Sequence, residues 1–442
     1  MSVTELSQLA TSRDLVPHIH RLPSEVLAEI LDFSLGDQSE SSDGQLTTLQ
    51  CVCRHWSQVA LAPRLWSSVV HKSSDSTPQG VQYLQARLMN AKRAPLSFIV
   101  DGPEMEEQSA SEDAESGDST FTPDLVAEAN FQQVARLLSD HLDHARYLKL
   151  HLHSEESVAS VFPLPGSEEQ LKEIDVHVPT LEKPFTLFTS TARCAPRVVS
   201  IHAPSVDASS LKFSSSELQS LRLGSSAHLG YRWVDVIKSA ASLEKLSILS
   251  SESANASSTA PTSPIMTPSL RELEISGHYL QSLLPVWHAP QLTHITISPS
   301  LCDLPLPKSV HFPALRTLTI HARKTSAPHP SFAKVVELLP SLEALEIPCY
   351  GEFATTTLSV LQGDSICPKL SILRLRNANH APDILPAAGD VLQRRPELIL
   401  RIHALIGAGK LAADLTHAHP GRVHAEVTAT PLSRLVVPKE SY

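Results

Sequence analysis

A triad of apolar residues, Leu-x-x-Leu-x-Leu with Ile as an alternative, returns through the second half of this chain and constrains its fold more than any other feature. It runs Leu218/Leu221/Leu223, Leu243/Leu246/Ile248, Leu270/Leu273/Ile275, Leu292/Ile295/Ile297, Leu315/Leu318/Ile320, Leu342/Leu345/Ile347 and Leu370/Leu373/Leu375. The start-to-start steps are 25, 27, 22, 23, 27 and 28 residues. Within each triad the last two positions are two apart, the period that turns alternate side chains of a strand to one face. A repeat of about 20–29 residues built on such a short strand marks stacked units that bury their apolar faces against one another.

Weaker copies lie upstream, at Leu171/Ile174/Val176, at Val198/Ile201 and in Tyr147–Leu152. The stretch from Pro95 to Asp101 alternates like a strand, follows a helix-like run from Gly80 to Arg93, and reads as the opening repeat. Residues 102–122 are acidic, Ser-rich and without apolar periodicity, the composition of a disordered insert. Removing them restores a spacing close to the period. Residues 250–264 form a second such insert, read as a loop between two repeats. Glu397–Ala404 reads as the last ordinary strand, with 407–442 as a C-terminal cap or tail. The expected organisation is an N-terminal extension at 1–17, a helical unit at 18–72, a linker helix and first repeat strand at 73–101, the insert, and repeats over 123–406.

Composition narrows the class. Hydrophobic residues are 42% of the 442 but aromatics only 5%, so the core is expected to be aliphatic. The formal net charge of −11 argues against a nucleic-acid partner, which usually meets a basic face. Proline is abundant (33) and glycine scarce (15), which implies stiff connections. Six cysteines are too sparse for a disulfide framework and suit a reducing compartment. The first residues show no signal-peptide pattern, and no run approaches the ~18 apolar residues of a membrane span. A cytoplasmic or nuclear protein without membrane contact is expected.

Between His20 and Val70 the pattern is that of three short helices. The first spans Ser24–Leu35, with Leu27, Ile30 and Leu31 on one stripe and Ser24 placed to open it. A polar patch, Asp37–Gln45, interrupts and is expected to bulge outward. In the run Leu46–Leu61, residues Leu46, Leu49, Val52, Cys53, Trp56, Val59 and Ala60 share one face, and Pro63–Val70 ends the segment.

The sequence Leu22-Pro23-x-Glu25-x-Leu27-x-x-Ile30, then Leu49-x-x-Val52-Cys53-Arg54-x-Trp56, then Leu65-Trp66, resembles an F-box. With the repeats downstream, the chain is similar to F-box/leucine-rich-repeat proteins. The resemblance implies an α/β fold: a three-helix F-box followed by a leucine-rich-repeat solenoid, a curved parallel sheet with helices or loops on its convex side. It also implies a substrate-recognition subunit of an SCF (Skp–cullin–F-box) ubiquitin ligase. The F-box would bind a Skp-type adaptor, and through it a cullin–RING ligase, while the repeats bind a protein substrate. The adaptor-binding candidates are Leu22, Pro23, Glu25, Leu27, Ile30, Leu31, Val52, Trp56, Leu65 and Trp66; Trp56 reads as core of the three-helix unit sooner than as a direct contact, and Ile30 could equally pack inside. The alternative is a non-catalytic leucine-rich-repeat scaffold that delivers no substrate.

Signatures of chemistry are missing. Cys51-x-Cys53 lacks the second ligand pair of a zinc site, and His151-x-His153 and His417-x-His419 lack acidic or thiol partners. The Ile406–Lys410 stretch fails as a phosphate loop, with Ala404 and Leu411 where Gly and Ser or Thr are required. No nucleophile elbow is present. No enzyme and no cofactor is expected.

A substrate would meet the residues that alternate with the triads. The candidates are Glu173, Asp175, Arg222, Lys245, Glu272, Glu274, His294, Thr317, Thr319, His321, Arg374 and Arg376, with Lys149, His151, Ser247 and Glu346 on the same faces. The stripe is polar and of mixed sign, which suits a protein partner better than a small molecule.

Overall fold

In the computed structural model of the chain, the triad strands bury their Leu and Ile positions and, except at the buried Glu346, leave the residues between them at least partly exposed. The structure describes residues 22–35, 42–103, 125–164, 170–179, 186–188, 194–204, 211, 214–225, 231, 233–250, 261–276, 279, 283, 286–298, 312–321, 336, 339–349, 351–363, 365–376, 384–404 and 409–427. The chain divides into two compact units, Met1–Val178 and Pro179–Tyr442.

The first unit opens with α1 (Ser24–Leu35), α2 (Ser42–Gln50), α3 (Arg54–Ala60) and a 3-10 turn, Pro63–Trp66. Next come β1 (Ser68–His71), α4 (Pro78–Ala91), β2 (Leu96–Asp101), α5 (Leu125–His141), β3 (Ala145–His151), α6 (Glu155–Val161) and β4 (Glu173–His177). Strands β1, β2, β3 and β4 pair in parallel in that order, as strand–helix–strand crossovers require. Three features differ from the sequence reading. The sheet opens at β1, inside the helical segment 18–72, and not at Pro95–Asp101. Its strand lacks a Leu triad, and only Val69 and His71 point inward. The apolar run Leu46–Leu61 is two helices, because Cys53 is extended (φ −164°, ψ 170°) and its thiol caps the Trp56 N–H. Helix α2 already begins at Ser42, within the patch expected to bulge; residues 36–41 lie outside the described residues.

The second unit holds β5 (Val198–His202), β6 (Ser220–Ser225), α7 (Trp233–Ser239), β7 (Lys245–Ser250), β8 (Ile265–Met266), β9 (Glu272–Ser276), β10 (Trp287–His288), β11 (His294–Ser298), β12 (Thr317–Ile320) and β13 (Ala344–Pro348). It continues through α8 (Gly351–Leu361), β14 (Ile372–Arg376), α9 (Ile384–Arg394), β15 (Ile399–Ala404), α10 (Gly409–Ala418) and β16 (Val423–Val427). A large parallel sheet runs β5-β6-β7-β9-β11-β12-β13-β14-β15-β16 and does not close into a barrel, while β8 and β10 form a separate pair. The sheet thus extends one strand past Glu397–Ala404. The inserts at 104–124 and 251–260 and the tail after Val427 lie outside the described residues.

Two hydrogen-bond patterns set the period. From Leu218 to Leu342, the carbonyl of the residue after each leading Leu accepts two backbone N–H groups from the next repeat. Gln219 takes those of Glu244 and Lys245; Glu244 those of Arg271 and Glu272; Arg271 those of Thr293 and His294; Thr293 those of Arg316 and Thr317. Each leading Leu also closes a tight turn, as in Leu270 N–H to the Thr267 carbonyl and Leu315 N–H to the Phe312 carbonyl. From Leu270 onward these turns carry Pro at their second position (Pro268, Pro290, Pro313, Pro340, Pro368 and Pro396), where its fixed φ is already that of the turn. The abundance of proline is therefore partly a property of the repeat. Behind the sheet, Trp233, Tyr279 and Trp287 pack together fully buried, and the Trp287 indole N–H donates to Thr267 Oγ1 at 2.9 Å.

Candidate functional site

Helix α1 is apolar on two sides. Leu27 and Leu31 are buried, while Val26, Ile30 and Phe33 project outward, and Phe33 is 91% exposed. The steps of four and three place those three on one face. Pro23 and Glu25 are exposed at the start of the helix and Leu22 is half-buried. Val52 stands exposed on the turn between α2 and α3, as does Leu61 at the end of α3. The Arg64 guanidinium donates to the Glu25 carbonyl at 3.4 Å and ties the 3-10 turn to the first helical turn.

Four of the ten adaptor-binding candidates are on the inside. Leu27, Leu31, Leu65 and Trp66 are buried, so they hold the helices together and do not reach a partner. The Trp66 indole N–H donates to the Ala60 carbonyl at 2.7 Å, which locks the 3-10 turn onto the end of α3. Trp56 is half-buried. Leu22, Pro23, Glu25, Ile30 and Val52 remain accessible. The sequence reading missed Val26, Phe33 and Leu61. The signal for the first two was a second apolar stripe on Ser24–Leu35, opposite the one that builds the core.

All twelve substrate-binding candidates alternate with buried residues, but they fall in two units. Glu173 and Asp175 lie on β4 of the first unit, in register with Tyr147 and Lys149. Burial raises the Tyr147 hydroxyl pKa, and Asp175 and Glu173 add to the rise. The imidazoles of His151, His153 and His177 pack there as tilted rings, His151 lying 4.3 Å from His153 and 4.5 Å from His177 between centroids. Among the described residues no group of three His, Cys, Asp or Glu side chains could hold a metal ion.

The other ten belong to the second unit. One row runs in register Arg222, Ser247, Glu274, Thr296, Thr319, Glu346, Arg374. A parallel row runs Lys245, Glu272, His294, Thr317. Lys245 pairs with Glu272 at 2.9 Å with both side chains half exposed, a contact that solvent screens. Ser247 donates to Glu274 at 2.7 Å, and the Thr293 hydroxyl meets His294 Nδ1 at 2.8 Å. Glu346 differs: it is 4% exposed and ion-paired with Arg374 at 3.5 Å and with Arg376. His321 follows β12, and its pKa is lowered by burial first and then by Arg376, against the opposing pull of Glu346 and Glu274. The face is therefore a cross-strand network whose charges are partly spent on one another.

Residues 19–72 match the family model described as F-box-like. No curated protein matches the chain. F-box domains generally bind Skp-type adaptors, so the matching segment supports an F-box protein and suggests an adaptor role in SCF complexes. Among the described residues no helix is long and apolar enough to cross a membrane.

Proposed function

We propose that this chain is the substrate-recognition adaptor of an SCF ubiquitin ligase. In this reading the F-box-like segment binds a Skp-type adaptor, and the parallel repeats are leucine-rich repeats stacked as a solenoid whose polar face receives a protein substrate. The chain contributes no catalysis of its own and works in the cytoplasm or nucleus. The observation that carries the reading is the exposed apolar face of α1. Val26, Ile30 and Phe33 stand free of the core within the residues that match the family model. Exposed aliphatic and aromatic side chains grouped on one helix face are the anchors from which protein interfaces draw most of their energy.

The burial pattern sharpens the test. Changing Leu27 or Leu31 would confuse loss of binding with loss of fold, whereas Ile30 and Phe33 separate the two. The double variant Ile30→Asp/Phe33→Asp is expected to lose co-purification with a Skp-type adaptor and cullin while keeping its melting temperature. Retained co-purification by the folded variant overturns the assignment. Adaptor binding without accelerated turnover of any captured protein favours a scaffold over a ligase subunit.

A further inference from the structure

The polar face of the second unit is not evenly charged. Across β13–β16 the register sets Glu346, Arg374, Arg401 and His424 in one row, and Arg376 beside His403 in the next. Two carboxylates stand in these rows: Glu426, in register with His403 at the end of the second row, and Glu346, which is buried and paired with two of the guanidiniums. Those two, Arg374 and Arg376, still expose 33% and 47% of their side chains. Arg401 is half-buried and has no ion-pair or hydrogen-bond partner among the described residues, and His424 is exposed on the last strand. On a chain of formal net charge −11 this corner has the opposite sign to the whole.

We infer that this corner docks an acidic segment of the partner protein, its carboxylates received by Arg374, Arg376 and Arg401. The inference rests on the proposed role of the sheet face as the substrate platform, and it names the chemistry that the platform selects. Three features carry it. Guanidinium forks match carboxylates two bonds at a time, which makes such pairs stronger and more directional than single contacts. Adjacent parallel strands lie about 4.8 Å apart, so an extended segment crossing β14 and β15 along one row meets Arg374 and then Arg401. The buried Glu346 carboxylate also restrains Arg374 and Arg376 before any partner arrives, so less side-chain freedom is lost on binding. A polynucleotide offers anionic oxygens too, but the negative charge of the rest of the chain opposes its approach.

The full-length protein and fluorescence anisotropy test the proposal. The probes are a labelled peptide of alternating Glu and Gly, a Lys–Gly peptide of equal length, and a single-stranded oligonucleotide. The Glu–Gly peptide is expected to bind, more weakly as salt is raised, and the Lys–Gly peptide not to bind. Arg401→Glu should lower that affinity about tenfold or more, the loss of one charge-assisted pair. Arg271→Glu, exposed just before β9 and off this corner, should leave it unchanged. If Arg401→Glu does not fold, Arg401→Gln/His424→Gln reads the same loss. No binding of the acidic peptide, an equal loss in Arg271→Glu, an unchanged affinity in the Arg401 variants, or tighter binding of the oligonucleotide each overturns the proposal. Adaptor co-purification from the same preparation reports separately on the F-box-like segment, so the two failures are distinguishable.

Discussion

Neighbouring residues on one repeat strand carry opposite duties, and substitution should separate them. Leu273 is 2% exposed between Glu272 and Glu274, which lean to the polar face. Leu273→Ala is expected to destabilise the second unit by about 2–5 kcal/mol, the cost of lost burial plus an unfilled cavity. Glu272→Lys, which loses a screened pair with Lys245, should stay within about 0.5 kcal/mol. Urea unfolding of the two variants checks both; the opposite ranking would mean that the strand faces are exchanged. Two histidines, His71 buried and His321 half-buried, set a second, pH-linked expectation. Burial lowers the His71 pKa, against the attraction of Asp75 and Asp101, and His321 is lowered likewise. Each stays neutral in the folded chain below the ordinary 6.5, where the unfolded chain takes up a proton. Protons then favour unfolding, so stability falls as the pH drops through 6.5. His71→Gln/His321→Gln should flatten the fall in melting temperature between about pH 7 and about 5.5; an unchanged slope would rule these two groups out as its source. The core positions were readable in the sequence because period and alternation agree. The burial of Glu346 was not, since it depends on cross-strand partners that β14 supplies.

Elements in this chain begin and end on local chemistry that varies in how visible it is. The first helix was legible to its ends, Ser24 and Leu35, because Pro23 precedes it and its core stripe is regular. The break between α2 and α3 was not, because Leu46 through Ala60 keep helical spacing across the interruption and no Gly or Pro marks it. A cysteine side chain serves as the cap there. Helix ends in the last repeats are closed by arginines that no apolar pattern reveals. Arg395 donates to the carbonyls of Leu361, Gly363, Ile366 and Cys367, and Arg422 repeats the arrangement one unit on, with the carbonyls of Leu392, Arg395 and Pro396. Arg395→Ala leaves four carbonyls short of a donor and should cost about 1–3 kcal/mol. Thermal unfolding monitored by circular dichroism would read this loss, and a variant as stable as the parent would show that water replaces the guanidinium fully.

At the scale of the molecule, the repeats were legible where the triads are complete and illegible at both ends. Among the described side chains, the opening strand β1 and the closing strand β16 each bury one apolar residue, Val69 and Val423, in place of a triad. End units have a neighbour on one side only, which relaxes the demand for a full apolar set. Even so, β16 covers the edge of β15, where Leu400 and Ile402 are fully buried. Ending the chain after Ala404 should therefore lower the urea midpoint of the second unit and promote self-association through the uncovered edge. An unchanged midpoint in a monodisperse truncated chain would make residues 409–427 dispensable. The other end has a mechanical meaning. Ser67 alone separates the 3-10 turn Pro63–Trp66, locked onto α3, from β1, which is paired along its length with β2. The F-box-like helices and strands β1–β4 therefore form one stiff lever, not two bodies on a tether. Whatever grips α1 fixes the direction in which β1–β4 point, and a flexible spacer after Trp66 would slacken that aim while leaving the grip intact.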